Sequence, residues 1–258
     1  MAQARPVALV TGASAGIGKE LARVLAADHD LILTARREAE LKAVAANLSP
    51  ANCHIIPADL ANPAAPQTLY QAVQSAGLVV DVLVNNAGFG DLGPFAEADL
   101  GRALRMIQVN VVALTELTGL FLPGMRQRGR GRILNVGSVA GFQPGPFMAV
   151  YYATKAYVNS FSEALWSELQ GSGVTVTCLA PGRTESEFAS KAGFDLRAGG
   201  GSVASARMVA EEGIRAMKRG KRMVVTGFWN RVLLFAERFV PRGTVINAVR
   251  RTQQTRRF

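Results

Sequence analysis

Short apolar segments alternate along the chain with longer segments whose apolar positions have helical spacing. Seven short segments predict strands, at residues 7–10, 31–35, 53–57, 82–85, 132–136, 174–179 and 222–226. Segments such as VALV and LILTA are apolar throughout, as in strands that are covered on both faces. The pattern predicts an α/β fold with one doubly wound domain, in which a mostly parallel seven-stranded sheet carries helices on both faces. We expect this domain to span residues 1–227, with residues 228–258 appended to it.

The composition is that of a globular protein with a sizeable core. Of the 258 residues, 49% are apolar and 19% are charged, which excludes a disordered or disulfide-rich chain. Cys53 and Cys178 lie in apolar segments without the spacing of a metal site or a disulfide framework, and we interpret both as core residues. Only residues 1–6 precede the first predicted strand, and no unbroken apolar run reaches the roughly 18 residues that span a bilayer. We therefore expect a cytoplasmic location.

The first predicted strand leads into a glycine-rich turn, TGASAGIG at residues 11–18, followed by the helix-forming segment KELARVLA. Glycines at such a turn let backbone N–H groups and the helix N-terminus approach a pyrophosphate, because no Cβ intervenes. Gly12 would form the tight turn, Gly16 would allow the close approach, and Gly18 would let the helix pack on the strand. On this segment alone, a plain glycine-rich turn without a ligand is the alternative.

Further motifs follow the turn in a fixed order. They are NNAG at residues 85–88, Asn110 in the next long helix, Ser138 after the fifth strand, the Tyr151-x-x-x-Lys155 pair and Pro181-Gly182 after the sixth strand. In this order and spacing the chain resembles the short-chain dehydrogenase/reductase family, whose Thr-Gly-x-x-x-Gly-x-Gly turn matches residues 11–18 at each fixed position. The likeness spans about residues 7–188. It implies a Rossmann-type fold and an oxidoreductase that interconverts a carbonyl and an alcohol with a nicotinamide cofactor.

The end of the second predicted strand, LTARRE, bears on which dinucleotide is bound. An acid there would bond the ribose hydroxyls of NAD, which Ala35 cannot do, whereas arginine can pair with the 2′-phosphate of NADP. Arg36 and Arg37 suit the phosphate because guanidinium forms charge-assisted hydrogen bonds with it. Two solvated arginines at a helix start are the alternative, at a small cost against the helix dipole. We predict NADP(H) in preference to NAD(H).

The resemblance implies the rest of the cofactor site. Asp59 and Leu60 would hold the adenine, and Asn86, Ala87 and Gly88 would line the side of the adenosine ribose. The full set of expected cofactor contacts is Gly12, Ser14, Ala15, Gly16, Ile17, Gly18, Arg36, Arg37, Asp59, Leu60, Asn86, Ala87, Gly88, Tyr151, Lys155, Pro181, Gly182, Thr184 and Ser186.

Carbonyl reduction needs a group that gives a proton to the oxygen as hydride reaches the carbon, and Tyr151 can be that group. The pKa of a free tyrosine is about 10, and we expect the ammonium of Lys155, one helical turn later, to lower the pKa of Tyr151. Tyr152 shares a helix face with Lys155 as well, so only the family pattern selects Tyr151. By resemblance Ser138 orients the substrate oxygen, and Asn110 holds a water that links Lys155 to solvent. A strand-end serine and a packing asparagine are the plain alternatives.

The segment after the sixth strand, residues 183–202, has the composition of a mobile loop and ends in Gly199-Gly200-Gly201. In the family this loop closes over the nicotinamide, and the usual threonine is replaced here by Ser186, with Thr184 as a second candidate. We expect a largely apolar substrate pocket for an apolar carbonyl or alcohol. Its expected walls are Phe89, Gly90, Phe142, Phe147, Met148 and Phe188, with core packing as the alternative for each aromatic.

The net charge of +10 is concentrated at one end, because residues 215–258 hold twelve Lys/Arg and one acid while the first 214 residues carry −1. Residues 228–240 predict an amphipathic helix with Arg231, Glu237 and Arg238 opposite an apolar stripe. The stripe consists of Phe228, Val232, Phe235 and Phe239. A helix docked on the substrate mouth or on a sister subunit, followed by a basic tail, is favoured over contact with an anionic membrane. Nucleic-acid binding is not expected, because no stacking platform or groove-reading motif accompanies the charge.

The resemblance also implies a homodimer or homotetramer built from the helices that contain Asn110 and Tyr151. Two classes of function fit the sequence. The first is the oxidoreductase, and the second is a dinucleotide-sensing or membrane-surface binding protein that keeps the fold without turnover. The intact set of Ser138, Tyr151 and Lys155 favours the enzyme.

Overall fold

The computed structural model describes residues 5–193 and 203–255, so the predicted run Gly199-Gly200-Gly201 lies outside the described residues. In the part described, seven strands form one sheet in the order β3-β2-β1-β4-β5-β6-β7, with every neighbouring pair parallel. The strands are β1 Val7–Thr11, β2 Asp30–Thr34, β3 Cys53–Ile55, β4 Val80–Asn85, β5 Gly131–Val136, β6 Val174–Ala180 and β7 Met223–Val225. The predicted fold class and strands are confirmed, although β3 and β7 are shorter than expected.

Ten α-helices accompany the strands within the described ranges. They are α1 Gly16–Leu25, α2 Glu38–Ala45, α3 Ala65–Ser75, α4 Leu100–Ile107, α5 Leu114–Gln127, α6 Ala149–Glu168, α7 Glu187–Ala192, α8 Ala206–Lys218, α9 Phe228–Glu237 and α10 Arg242–Gln254. A π-helical turn, Gln108–Ala113, joins α4 to α5, and a 3-10 turn, Val139–Phe142, follows β5.

Apolar residues cover both faces of the sheet, as the continuous apolar strands predict. Along β1, Ala8 and Val10 pack in the layer under α1 and α8, while Leu9 points to the layer under α3 and α5. Leu9 is fully buried, and burial of a side chain of this size stabilises the fold by roughly 1.5–3 kcal/mol. The alternation explains why the strands carry large apolar side chains at successive positions.

One helical run, Leu100–Gln127, is long and apolar enough to cross a membrane by length and composition alone. Within it, Leu117, Phe121 and Met125 are buried in the core layer that covers one face of the sheet. The apolar character of this run therefore matches its packing in the fold.

The strand order places the carboxyl ends of all seven parallel strands at one edge of the sheet. The chain proceeds from β1 outward to β3 and then returns to the other side of β1 with β4. A crevice opens at such a reversal, because the connections after β1 and β4 leave in opposite directions. The predicted motifs follow β1, β2, β4, β5 or β6, so the fold brings them to this edge.

The C-terminal segment differs from the single helix and tail that we expected. Helix α9 ends at Glu237, and a second helix, α10, runs from Arg242 to Gln254. Pro241 explains the break, since its ring cannot continue a helix and disfavours helical backbone at the preceding residue. Part of the expected basic tail is therefore helical.

Candidate active site

The glycine turn between β1 and α1 is a tight backbone cradle. Gly12 has a φ of +66° and Gly16 a φ of +55°, in the left-handed region that favours glycine. A Cβ on Gly18 would lie 2.3 Å from both the Gly12 carbonyl oxygen and Asn86 Nδ2. The Asn86 amide donates to the Thr11 carbonyl at 2.8 Å, so the end of β4 braces the turn. The three glycines are therefore required by the backbone itself.

Helix α1 begins directly at this turn and carries no side-chain cap at Ala15 and no acid in its first turn. Its first N–H groups therefore provide a site for an anion, such as the pyrophosphate of a dinucleotide. A cavity of about 730 Å³ opens beside them and is large enough for a cofactor. All of the expected cofactor contacts, from Gly12 through Ser186, line this cavity, and Ser138 lines it as well. The residues present thus fit a dinucleotide.

The two arginines after β2 differ in their surroundings. Arg37 forms ion pairs with Glu40 and with Glu187 of α7, the latter at 3.0 Å. Arg36 is exposed at the cavity, and no carboxylate pairs with it among the residues described. Arg36 is therefore the more available guanidinium for a phosphate. Glu187 could not be predicted as a partner, since it lies 150 residues from Arg37 in the chain.

Helix α6 carries Tyr151 and Lys155 to the cavity, beside Ser138 at the end of β5. Ser138 lies close enough to Tyr151 to lower the pKa of its phenol. The Ser138 hydroxyl accepts from the Ala140 N–H at 3.1 Å and lies 3.5 Å from the Pro181 carbonyl oxygen. The serine and the tyrosine can therefore both reach one substrate oxygen.

The electrostatics of this pair differ from our expectation that Lys155 lowers the pKa of Tyr151. Burial raises the pKa of Tyr151 to about 12, and the interaction with Ser138 opposes that rise only in part. Lys155 Nζ lies 5.9 Å from the centre of the Tyr151 ring and donates to the Val136 carbonyl at 2.7 Å. Burial also lowers the pKa of Lys155 to about 8. In the protein alone, desolvation outweighs the attraction between ammonium and phenolate.

The structure distinguishes Tyr151 from Tyr152, which their spacing to Lys155 could not do. Tyr151 interacts with Ser138, which lowers the pKa of its phenol, whereas the hydroxyl of Tyr152 accepts a hydrogen bond from Gln253 of α10 at 2.9 Å. Both rings line the cavity. The geometry therefore assigns the serine-linked position to Tyr151 and a contact with the C-terminal helix to Tyr152.

Asn110 lies in the π-helical turn, not in a regular helix, and π turns recur at functional sites. Its amide bonds both backbone groups of Phe89, at 3.1 and 3.0 Å, and donates to Thr154 Oγ1 at 3.0 Å. A Cβ on Gly88 would lie 3.0 Å from Asn110 Oδ1 and 3.7 Å from Lys155 Nζ. Asn110 does not line the cavity itself, but its hydrogen bonds hold the backbone of Phe89, which does. Because Gly88 has no side chain, the space between Asn110 and Lys155 stays open.

Comparison with known proteins agrees with this geometry. Residues 6–196 match the family model described as short chain dehydrogenase. The chain belongs to the short-chain dehydrogenase/reductase family of oxidoreductases. It is similar to sulfoacetaldehyde reductase 2 of Chromohalobacter salexigens, with 39% identity over 203 residues that cover 77% of this chain and 79% of the relative. It is also similar to an NADP-dependent 3-hydroxy acid dehydrogenase of Salmonella typhi, with 39% identity over 178 residues, 68% of this chain and 71% of the relative.

Solved structures of short-chain dehydrogenases share the fold over nearly the whole chain. A short-chain dehydrogenase from Sphingobium yanoikuyae in complex with NADPH has a TM-score of 0.81 and 32% identity, and the match covers 91% of this chain and 94% of that one. A bulky-bulky ketone specific alcohol dehydrogenase from Comamonas testosteroni has a TM-score of 0.78 and 27% identity, with 92% and 93% covered.

The expected substrate walls of this short-chain dehydrogenase are only partly at the cavity. Phe89, Met148 and Phe188 line it, and the ring of Phe188 lies 5.0 Å from that of Tyr151. Gly90, Phe142 and Phe147 are not among the lining residues. Gly90 instead packs against Phe188, Phe142 is 39% exposed on its 3-10 turn, and the Phe147 ring lies 6.0 Å from the Arg250 guanidinium of α10.

Polar residues that the sequence analysis missed also line the cavity. Arg102 and Arg105 reach it from α4, and Gln143 reaches it after the 3-10 turn. The Arg102 guanidinium stacks 5.5 Å from the centre of the Phe89 ring and pairs with Asp91 at 3.1 Å. Their spacing of three on α4 places the two arginines on one helix face, which is the signal that could have found them. The cavity is therefore more polar than expected.

The two C-terminal helices of this short-chain dehydrogenase pack beside the cavity. In α9, Asn230 packs closely on Gly182: a Cβ added to Gly182 would lie 2.2 Å from the side-chain nitrogen of Asn230. Glu237 accepts a hydrogen bond from Gln143 at 3.0 Å. In α10, the buried Gln253 lies 3.4 Å from the sulfur of Met148 in addition to bonding Tyr152. The appended segment thus supports one wall of the site.

Proposed function

We propose that this chain is an NADP(H)-dependent oxidoreductase that interconverts a carbonyl and an alcohol on a small molecule whose apolar part packs on Phe89, Met148 and Phe188. The observation that carries the proposal is the meeting of Ser138, Tyr151 and Lys155 in the same cavity as the glycine turn. A structural role for these polar groups alone would not require a cavity of about 730 Å³ beside them. When bound, the nicotinamide cofactor supplies or accepts the hydride.

The residues of the chain handle the oxygen and the proton. Ser138 and Tyr151 hydrogen-bond the substrate oxygen, and the phenol proton moves to that oxygen as the carbonyl carbon becomes an alcohol carbon. Because burial holds the pKa of Tyr151 at about 12, the phenol is protonated near neutrality. This is the form that reduction needs. Lys155 and Asn110 hold the path that returns a proton to Tyr151, past the open position at Gly88.

Arg36 supports the preference for NADP(H). Its guanidinium is exposed at the cavity rim after β2, where the 2′-phosphate of the cofactor would lie. An NADP-dependent relative and a neighbouring structure in complex with NADPH point the same way. Replacement of Arg36 with Ala should raise the KM for NADPH about 10- to 100-fold, the loss of one charge-assisted hydrogen bond. The KM for NADH should stay unchanged, and Arg37→Ala should have the smaller effect because two carboxylates already bind Arg37.

The activity itself is tested by NADPH absorbance with a panel of ketones and aldehydes of increasing size and polarity. Turnover in the native chain should fall at least about 100-fold in Tyr151→Phe. Tyr152→Phe is the matched control, because it removes a hydroxyl from the neighbouring residue that bonds Gln253. Tight NADPH binding without turnover on any substrate would instead indicate the dinucleotide-sensing alternative.

We also propose a homodimer or homotetramer in the cytoplasm. Apolar side chains are exposed on the helices that contain Asn110 and Tyr151, among them Leu104, Val112 and Tyr157. Burial of these side chains against a second copy would remove an apolar patch from water. Light scattering after size exclusion measures the mass, and a monomer at micromolar concentration would contradict the proposal.

A further inference from the structure

Helix α9 carries the most exposed large apolar side chains of the described residues. Phe239, which follows the helix, is 77% exposed and Trp229 is 69% exposed, and no residue of α9 is buried. We call these side chains the α9 outer face: Phe228, Trp229, Val232, Leu233, Phe235 and Phe239. The rings of Phe235 and Phe239 lie 5.5 Å apart, which makes the patch continuous.

Contacts on the opposite side of α9 hold the helix so that this face points away from the protein. Asn230 donates to the Thr226 carbonyl at 2.7 Å and packs on Gly182, and Glu237 bonds Gln143 at 3.0 Å. Glu237 lies opposite the apolar stripe, as predicted, and its contact with Gln143 turns that side toward the protein. Rotation of the helix to bury the aromatic residues would break these contacts, so the outer face stays exposed to what surrounds the molecule.

The charge of the segment that carries the α9 outer face indicates what binds there. Residues 228–258 contain seven arginines and a single acid, Glu237, which already binds Gln143. Arg231 lies on α9, Arg238 directly follows its last residue, and both are exposed. A second copy packed on this face would bring two arginine-rich surfaces together, which costs free energy. A surface of anionic headgroups above an apolar layer matches both the charge and the aromatic side chains.

We propose that the α9 outer face docks on an anionic membrane surface. The aromatic side chains enter the boundary between headgroups and acyl chains, and the arginines contact the headgroup phosphates. The proposal is independent of the proposed activity, because it needs only the exposed face and the charge. It places the cavity one helix away from the lipid.

The test is flotation of the full chain with two kinds of vesicle: phosphatidylcholine alone, and an equal mixture of phosphatidylcholine and phosphatidylglycerol. We expect binding to the mixture at low salt, none to phosphatidylcholine alone, and release at high salt. Trp229 gives a local readout in Trp166→Phe, which leaves it as the sole tryptophan. Its emission should shift to the blue with mixed vesicles.

Matched variants separate the two contributions. Phe235→Ser/Phe239→Ser should abolish flotation, whereas Phe95→Ser, which removes a ring that is 62% exposed outside α9, should leave it unchanged. Arg231→Gln/Arg238→Gln should weaken partitioning about 30-fold, since each basic residue near the surface contributes roughly fivefold. Lys42→Gln/Arg126→Gln has the same net charge and should retain binding.

Three outcomes would overturn the proposal. The first is equal binding by the α9 variants and their controls, which would locate the membrane contact elsewhere. The second is binding to neither kind of vesicle. The third is absence of flotation together with a lower mass of Phe235→Ser/Phe239→Ser by light scattering, which would identify the face as a contact between copies. Melting temperatures of all variants, measured beforehand, exclude unfolding as the cause of a loss.

Discussion

Lys155→Met should make the cofactor-free protein more stable at neutral pH, and by an amount that depends on pH. Lys155 is 6% exposed, and its burial lowers the pKa to about 8 from 10.5. Folding therefore has to bury an ammonium at neutral pH, at a cost in free energy. Methionine has a similar length, no charge and adaptable packing, so it removes that cost.

The magnitude follows from the two pKa values. Below pH 8 the lysine is protonated in both states, and the full cost is present. Between about pH 8 and 10.5 the unfolded chain keeps the proton that the folded chain has lost, so the native free energy of unfolding rises by about 1.4 kcal/mol per pH unit. The whole interval amounts to about 3 kcal/mol. The variant also leaves the Val136 carbonyl without its hydrogen bond, at a cost of about 1–3 kcal/mol at every pH.

The assay is urea unfolding of both proteins at fixed protein concentration from pH 7 to pH 10.5; the tyrosines are the same in both proteins, so their ionisation cancels in the difference. The difference in free energy of unfolding between variant and native chain should be largest below pH 8 and should shrink by about 3 kcal/mol as the pH rises. Lys42→Met is the control, because that lysine is 66% exposed and should show no such trend. A difference that does not change with pH would refute the reasoning, since the carbonyl contribution is constant and only the ammonium titrates.

Three further predictions follow from the site. Gly18→Ala should destabilise the fold by about 1–3 kcal/mol in thermal unfolding and abolish NADPH binding in fluorescence titration, because its Cβ would meet the Gly12 carbonyl, whereas Gly119→Ala, with open space around it, should not. Gln253→Ala should lower the free energy of unfolding in urea by about 1–2 kcal/mol, because it leaves the Tyr152 hydroxyl and a buried space unfilled. The rate of carbonyl reduction at saturating NADPH should be level through neutral pH and decline above the pKa of Lys155, about 8, where the ammonium is lost; a decline complete by neutral pH would contradict this.

Much of the fold could be predicted because the sheet is parallel and covered on both faces. Strands of this kind are apolar throughout, so β1 and β2 are visible as VALV and LILTA without knowledge of their neighbours. The same topology brings the carboxyl ends of the strands together. Gly12 and Ser138, more than a hundred residues apart, could therefore be assigned to one site from their positions after β1 and β5.

What could not be predicted depends on contacts between distant residues. The pKa of Tyr151 is set by how deeply the ring is buried, which the spacing to Lys155 does not reveal. The ion pair between Arg37, at the start of α2, and Glu187 of α7 could not be predicted from the residues near either one in the sequence. Likewise, the contact of Gln253 with Tyr152 depends on the second C-terminal helix. The basic composition after Pro241 led us to expect a tail there instead of a helix.

Helices α9 and α10 support part of the cavity wall from outside the range that matches the family model. The match to the family ends at residue 196, whereas Asn230, Glu237 and Gln253 support the wall of the site from beyond it. The residues that can reach the reacting oxygen lie within the matched range, and the helices beyond it pack against the wall of the cavity. A change in either terminal helix would therefore reshape the substrate wall without moving Ser138 or Tyr151, because Ser138 follows β5 and Tyr151 lies on α6.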